Sequence, residues 1–546
     1  MKKRANKDKD LQDKGLIFEF QKSVAGIFVI LMLGFFPLYY QNAYYNIMEA
    51  KKYFFHVCAL GLAILLLMSI CLESLGSVKK KKLFVLEKDW KDFLKKTTIA
   101  SWFLCAFTIA ITFSTIFSVD SKESFWGTDG RQLGAITLFL CICVYISLGK
   151  YLQPGIWMAW VVLITNSVLF GILIIQFWGK DILHMWDAIP SSIDLLYLTT
   201  IGNSNACSSY FCMIIPVVMV LYYCSETVFS RGLYGIFLAL GFYASYATNT
   251  DSWILGIGTA FLVMCWFSLK DHHCMKRFLE LCGIFWVSSL ALKLTILIGQ
   301  NNINALLIQR FRGLRLQNIM LHKYILLAEA VLLALCMCLI KNAEKKKWEI
   351  SYRKIRKFLF SFLAIVVGGA VIVIIVANCS MQKTWEGSLQ WMNRLKLQDE
   401  FGSGRGTVWK HTIWVWIRLP LWQKFLGYGV NCFHQFYFSQ GAELVDRAVR
   451  WIDPHNEIMY YISITGILGL VSYMGLLIST AVSAGKMSHR YPVMMMGTVM
   501  ICSYLACSMV NSPTTFITPT LFVYLGILKS MERYYKEKDL EIENKL

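Results

Sequence analysis

The sequence predicts an all-α, polytopic integral membrane protein, and three observations carry that prediction. Apolar residues make up 56% of the 546-residue chain and charged residues only 16%, where a soluble domain carries about 25% charged residues. The apolar residues fall in long blocks, at 27–40, 57–72, 101–117, 156–178 and 358–376 among others, and these approach the roughly 20 residues a helix needs to cross hydrocarbon. Basic residues cluster beside the blocks, at 2–22, 79–96 and 341–357, which is the pattern of cytoplasmic flanks. Periodicity alone does not separate a buried soluble helix from a spanning one, but repetition along the whole chain does. The expectation is about 12–14 transmembrane helices and one large extracytoplasmic loop.

The order expected is a basic cytoplasmic tail (1–23), a helix bundle (24–377), the large loop (378–457), C-terminal spans (458–528) and a second cytoplasmic tail (529–546). An even number of spans places both termini in the cytoplasm of a plasma (inner) membrane. The basic head imitates the start of a signal peptide. No small-residue cleavage site follows it, however, and further spans do, so the first span is expected to stay as an anchor. A net charge of +20 is compatible with nucleic acid, but its confinement to span flanks points to membrane orientation and excludes nucleic acid as a partner. The seventeen cysteines lie mostly in apolar runs, where they act as small hydrophobes. Cys379 and Cys432 share the large loop, where free thiols are favoured over a disulfide. No paired CxxC spacing indicates structural zinc. Asp271-His272-His273-Cys274 spells a palmitoyltransferase tetrapeptide, but without the surrounding cysteine-rich domain it is a chance match.

The large loop is the longest polar interval, and loops of that length are usually functional. Residues 378–453 hold nine Lys and Arg on the side that normally lacks them. Its middle mixes Trp409, Trp414, Trp416 and Trp422 with Lys410, Arg418 and Lys424, which suits an amphipathic helix in the headgroup plane. Where the loop re-enters the bilayer the chain reads Asp453-Pro454-His455-Asn456-Glu457, then Gly466-Ile467-Leu468-Gly469. An imidazole titrates near neutrality, which suits proton transfer. A helix-start histidine behind a proline turn is the plain structural alternative.

Pro454-His455-Asn456 with nine residues before Gly466 resembles the signature of the O-antigen ligase and polysaccharide polymerase superfamily. Arg394-Leu395, Asp399 and Gly402-Ser403-Gly404-Arg405 with Trp409 resemble that family's entry to the same loop. Leu419-Pro420-Leu421 and Gly427-Tyr428-Gly429-Val430 with Phe433 resemble its middle. Gly202-Asn203-Ser204-Asn205 with Pro216 is similar to its sixth-span entry, and Ser118, Ser121, Trp126-Gly127, Arg131 and Gly134 to its early outer loop. One departure stands out: Asn249-Thr250-Asp251-Ser252 occupies the turn where the family has a phosphate-holding arginine. Arg131, or one of Arg310, Arg312 and Arg315, is left to stand in.

The resemblance implies a GT-C-like architecture. It also implies transfer of a glycan from a polyprenyl-diphosphate carrier to an acceptor hydroxyl of a glycan, lipid or cell-wall component on the outer face. In that reading His455 is the general base and Arg405 the fork that stabilises the diphosphate leaving group. Arg131, Asn456, Asn203, Asn205 and Arg394 are the candidate substrate-binding residues, with helix capping the alternative for Asn203 and Asn205. No Asp-x-Asp pair lies in the outer loops, so the expected reaction needs no metal or other cofactor. The competing class is a transporter or flippase of lipid-linked glycans. Such proteins carry internal repeats and ionisable residues near the midplane, whereas here the polar residues concentrate in one loop.

Overall fold

A computed structural model describes residues 2–78, 98–191, 193–299, 306–309, 316–346, 348, 350–379, 385–397, 401–402, 404–440 and 453–543. Among these, fourteen long helices outside residues 380–456 make up most of the structure. They are α1 (Lys2–Ile30), α2 (Ile47–Val78), α3 (Ile99–Ile116), α4 (Ala135–Tyr151), α5 (Trp157–Phe177), α6 (Ser204–Cys224) and α7 (Val228–Ala247), followed by α8 (Ser252–Ser268), α9 (His272–Gly299), α10 (Lys323–Lys346), α11 (Tyr352–Cys379), α12 (Glu457–Met487), α13 (Met495–Ser508) and α14 (Ile517–Glu543). The only sheet among the described residues is a two-residue antiparallel pairing of Tyr197–Leu198 with Gly202–Asn203.

The chain is an all-α, multi-pass membrane protein. Among the described residues, ten helices are long and apolar enough to cross a membrane, against the 12–14 expected. The difference has a simple origin. The α4, α8 and α13 segments are apolar but shorter, and α14 turns polar after Met531. Side chains such as Val57, Ile64, Ile164, Ile236 and Ile365 are exposed on the outside of the bundle, where only lipid would suit them. The α11 helix, the most apolar span, buries none of its central window, whereas α6 buries 83% of its own. Arg356 of α11 reaches the Leu269 carbonyl and lies over the Trp266 ring of α8.

The C-terminal helices are threaded through the N-terminal ones. The α14 helix packs along α4, α12 along α3, and α13 between α6 and α8. One continuous apolar core runs through these elements, from Val24 of α1 to Met531 of α14. Residues widely separated in sequence therefore meet at the end of the bundle where α2, α6 and α12 begin.

The Gly427-Tyr428-Gly429 and Gly466 motifs meet in that region as a backbone clasp. Gly466 interrupts α12 with φ +66° and ψ −168°. The interruption frees two carbonyls of the preceding turn. Tyr428 N–H donates to Ser463 O at 3.0 Å and Gly429 N–H to Ile464 O at 3.2 Å, while the Ser114 hydroxyl also reaches Ile464 O at 2.5 Å. A Cβ on Gly466 would stand 2.3 Å from Phe425 O, and one on Gly427 2.2 Å from Ile464 O. Two backbones pass there with no room for a side chain.

Gly466→Ala should therefore destabilise the protein by roughly 1–3 kcal/mol from its backbone conformation alone, with the clash added. Gly368→Ala, at an α11 position with nothing within 4 Å, is the control. Thermal unfolding in detergent measures both. Equal midpoints would show that the clasp is not under this constraint.

Candidate functional site

Asp453 is completely buried, and its two oxygens are fully engaged. Oδ2 receives the Arg131 guanidinium, through Nε at 2.5 Å and through a close Nη2 contact. Oδ1 accepts the His455 backbone N–H at 2.7 Å and the Ser512 hydroxyl. The bond from an aspartate side chain to the amide two residues on is an Asx turn. Pro454 between them fixes the entry angle, and His455 takes a left-handed φ of +48°. Trp409 Nε1 donates to the Pro454 carbonyl at 2.8 Å. Asn456 then caps α12, its Oδ1 accepting from Met459 N–H at 3.0 Å while its Nδ2 donates to Met509 O at 2.8 Å. Every residue from 453 to 456 thus has a local physical reason for its place.

Arg131 arrives on a loop that is as tightly specified. Asp120 caps the short helix Ser121–Trp126. The buried Glu123 carboxylate accepts the amides of Thr128 and Asp129 at 3.2 and 3.0 Å, the Thr128 hydroxyl, and Asn431 Nδ2 at 2.6 Å. Asn431 Oδ1 in turn accepts Leu133 N–H at 3.1 Å and Tyr460 O–H at 3.3 Å. Glu123 and Asn431 thereby hold the Arg131 loop against α12. Sequence reasoning missed both. Their signal, a carboxylate five residues before a Gly-containing turn and an asparagine after Gly-Tyr-Gly-Val, is visible only in retrospect.

His455 is largely buried, and its Nδ1 lies 3.6 Å from Asp453 Oδ1, a distance for charge attraction rather than a short hydrogen bond. Burial lowers its pKa to about 4; Asp453 opposes the shift, and Arg131 and Arg405 add to it. The imidazole is therefore neutral at pH 7. Burial disfavours ionisation of Asp453, but Arg131, His455, the Ser512 hydroxyl and the His455 amide outweigh it and hold the carboxyl below its ordinary value. Arg405 opens the helix Arg405–Arg418 behind Gly404, whose φ is +93°. Burial lowers the Arg405 pKa, and Asp453 and Cys507 oppose the shift. The helix buries Val408, Thr412 and Val415 and packs on α12, so it belongs to the fold rather than merely resting on a lipid surface.

Arg131, Asp453 and His455 line a cavity of about 310 Å³ together with Lys51, Asn203 and Thr514. Arg405 touches the electrostatics of the same residues without lining that cavity. Asn203 does two things: it lines the cavity, and its Oδ1 caps α6 through Asn205 N–H at 2.8 Å. Asn205 gives its carbonyl to Asn511 Nδ2 at 3.2 Å and is not among the cavity residues. The Arg394 side chain and Arg310, Arg312 and Arg315 lie outside the described residues. In the turn 249–252, hydroxyls bond one another and α6: Ser208 bonds Thr250 at 2.5 Å and Thr248 at 3.2 Å, and Thr250 bonds Ser252 at 3.2 Å. Asn249 accepts from Gln317 Nε2 at 2.9 Å.

Two further features have purely local roles. Asp271 caps α9 through Cys274 N–H at 2.8 Å, which accounts for the Asp-His-His-Cys string as a helix start. Cys379 and Cys432 are both free thiols. Beneath the site, Glu457 in the first turn of α12 accepts Tyr473 O–H at 2.8 Å and Tyr504 O–H at 2.9 Å, joining α12 to α13.

Removing one member of a buried ion pair leaves the other uncompensated, at a cost of about 3–5 kcal/mol. Asp453→Asn should lose stability on that scale in detergent melts. The double variant Arg131→Met/Asp453→Leu should recover a large part of it. A single variant as stable as the wild type would remove the pair from its structural role.

No family model and no curated protein matches this chain, so the functional reading rests on its residues and their geometry.

Proposed function

We propose that this protein is a membrane glycosyltransferase that moves a glycan from a polyprenyl-diphosphate carrier to an acceptor hydroxyl. It would be an O-antigen ligase-like enzyme or a surface polysaccharide polymerase of GT-C-like architecture. The site would face the outside of the plasma membrane, with the loop around residues 378–457 as its catalytic loop and both termini in the cytoplasm. The observation that supports this reading is a largely buried, neutral histidine whose backbone amide is held by the Asp453 carboxylate, lining a cavity with Arg131 and within the field of Arg405. Its helical frame and the sequence resemblance are consistent with it.

In the proposed step the acceptor hydroxyl gives its proton to the His455 imidazole as its oxygen attacks the anomeric carbon. The bond from that carbon to the diphosphate oxygen breaks, and polyprenyl diphosphate leaves with the bonding electrons. Negative charge grows on the leaving oxygen. Arg405 and Arg131 are the groups whose positive charge stabilises that growth, and such charge-directed contacts strengthen as a step proceeds. A free imidazole with pKa near 4 is a weak base. A bound diphosphate would offset the surrounding cations and make it stronger, coupling proton transfer to donor occupancy.

His455→Ala should reduce transfer by about 10² to 10⁴ with donor binding retained, in an assay using purified protein and defined polyprenyl-diphosphate glycans. Arg405→Ala should damage both turnover and donor binding, and Arg405→Lys should restore only part, because lysine lacks the two-pronged geometry. Near-normal transfer by folded His455→Ala would sink the catalytic assignment and favour a carrier of lipid-linked glycans.

The pH dependence follows from the same burial. His455 must be unprotonated to act, and kcat/KM reports the free enzyme. Activity attributable to this residue should persist from neutrality to about pH 5 and fall as pH drops through about 4. An acid limb near the ordinary histidine value would contradict the burial of the ring.

A further inference from the structure

The two cations that line the cavity are not equivalent. Asp453 already takes the Arg131 guanidinium. Lys51, in the second turn of α2, is 1% exposed and has no carboxylate within ion-pair distance among the described residues. Its ammonium donates to Phe36 O at 2.5 Å and Pro37 O at 2.9 Å. The rings of Phe516 and Phe36 lie 5.0 and 5.5 Å away, within the range at which an aromatic face attracts a cation.

The two carbonyls explain a donor at this position but not a charge. They follow the π-helical turn Leu31–Phe35 that ends the first span, and any N–H would satisfy them. An amide would do so without the desolvation cost of a buried ammonium, which is large unless an anion meets it. An ammonium has three N–H donors. Two are committed to Phe36 and Pro37, and the residue borders the cavity that His455 also lines. Lys52, its neighbour, is committed elsewhere: it donates to Gly127 O at 3.0 Å and supports the Arg131 loop.

We propose that Lys51 binds a phosphate oxygen of the donor's diphosphate in this cavity, supplying the cationic contact that the 249–252 turn does not. This rests on the reading of the cavity as a diphosphate site. Arg131, matched by Asp453, then orients and screens, while Lys51 supplies an N–H donor to the ligand and takes up a positive charge as the anion meets it. The Phe36 and Pro37 carbonyls and the two rings hold the ammonium in place before the ligand arrives, so little side-chain freedom is lost on binding.

The test is calorimetric binding of inorganic pyrophosphate to the purified full chain in detergent at low salt, with glycerol phosphate as a mimic of a lipid headgroup. Lys51→Gln keeps donors for both carbonyls and removes only the charge. It should weaken pyrophosphate binding about 10- to 100-fold, the loss expected of one charge-assisted hydrogen bond, with an unchanged melting midpoint. Wild-type affinity in this variant would overturn the role of Lys51 and leave the diphosphate reading intact. Absence of pyrophosphate binding by the wild type would overturn both. Glycerol phosphate binding as tightly as pyrophosphate would make the cavity a lipid-headgroup site and overturn the proposal. If Lys51→Gln does not fold, Lys51→Arg decides: a bulkier fork in contact with the anion must change the affinity, and an unchanged value would show there is no contact.

Discussion

The buried carboxylate of Asp453 is the group on which the geometry of the site depends. A carboxylate without access to water is tolerable only when its lone pairs are met by donors and its charge by a cation. Arg131, the Ser512 hydroxyl and the His455 amide meet both needs. Those partners come from the loop after α3, the turn after α13 and the start of α12. One side chain therefore ties two remote segments to the start of α12, and the imidazole of His455 is placed as a consequence of the same turn.

The loop that carries Arg131 depends on a second set of buried polar groups. Glu123 and Asn431 exchange hydrogen bonds with backbone amides that have no other partner in those turns. Half-satisfied networks of this kind would be costly, and fully satisfied ones specify a single arrangement. The backbone clasp between Gly466 and Gly427 works from the opposite direction. It excludes side chains so that the segment at 427–429 can lie directly on the freed carbonyls of α12. Between them, these contacts fix the segment 427–431 against α12 and the Arg131 loop.

Electrostatically the site carries more positive than negative charge. Asp453 offsets the Arg131 guanidinium, while Arg405 has no such match in the ion pairs described. Arg131 and Arg405 disfavour protonation of His455 by repulsion, adding to the larger effect of its burial. A neutral base beside unmatched cations is an arrangement that an anionic ligand would complete, because the ligand would lower the local potential and raise the basicity of the ring together.

Much of this was legible in the sequence. The length and repetition of the apolar blocks determined a multi-span helical protein, since a backbone in hydrocarbon has to satisfy its own hydrogen bonds. The order Asp-Pro-His-Asn contains its own turn and helix cap, so the local shape around His455 follows from those residue types. Gly466 and Gly427 were visible as motif positions, although their use as a point of backbone contact was not. Tertiary structure alone decided that Arg131 meets Asp453 across 322 residues of chain and that the Asn456 Nδ2 donates to Met509 O. It also decided that Lys51, which reads as an ordinary residue at the edge of a span, stands at the cavity. Such pairings depend on how α2, α6, α12 and the turn after α13 pack side by side. Local pattern records the period of a helix and the chemistry of a turn, but not which distant helix will lie against it.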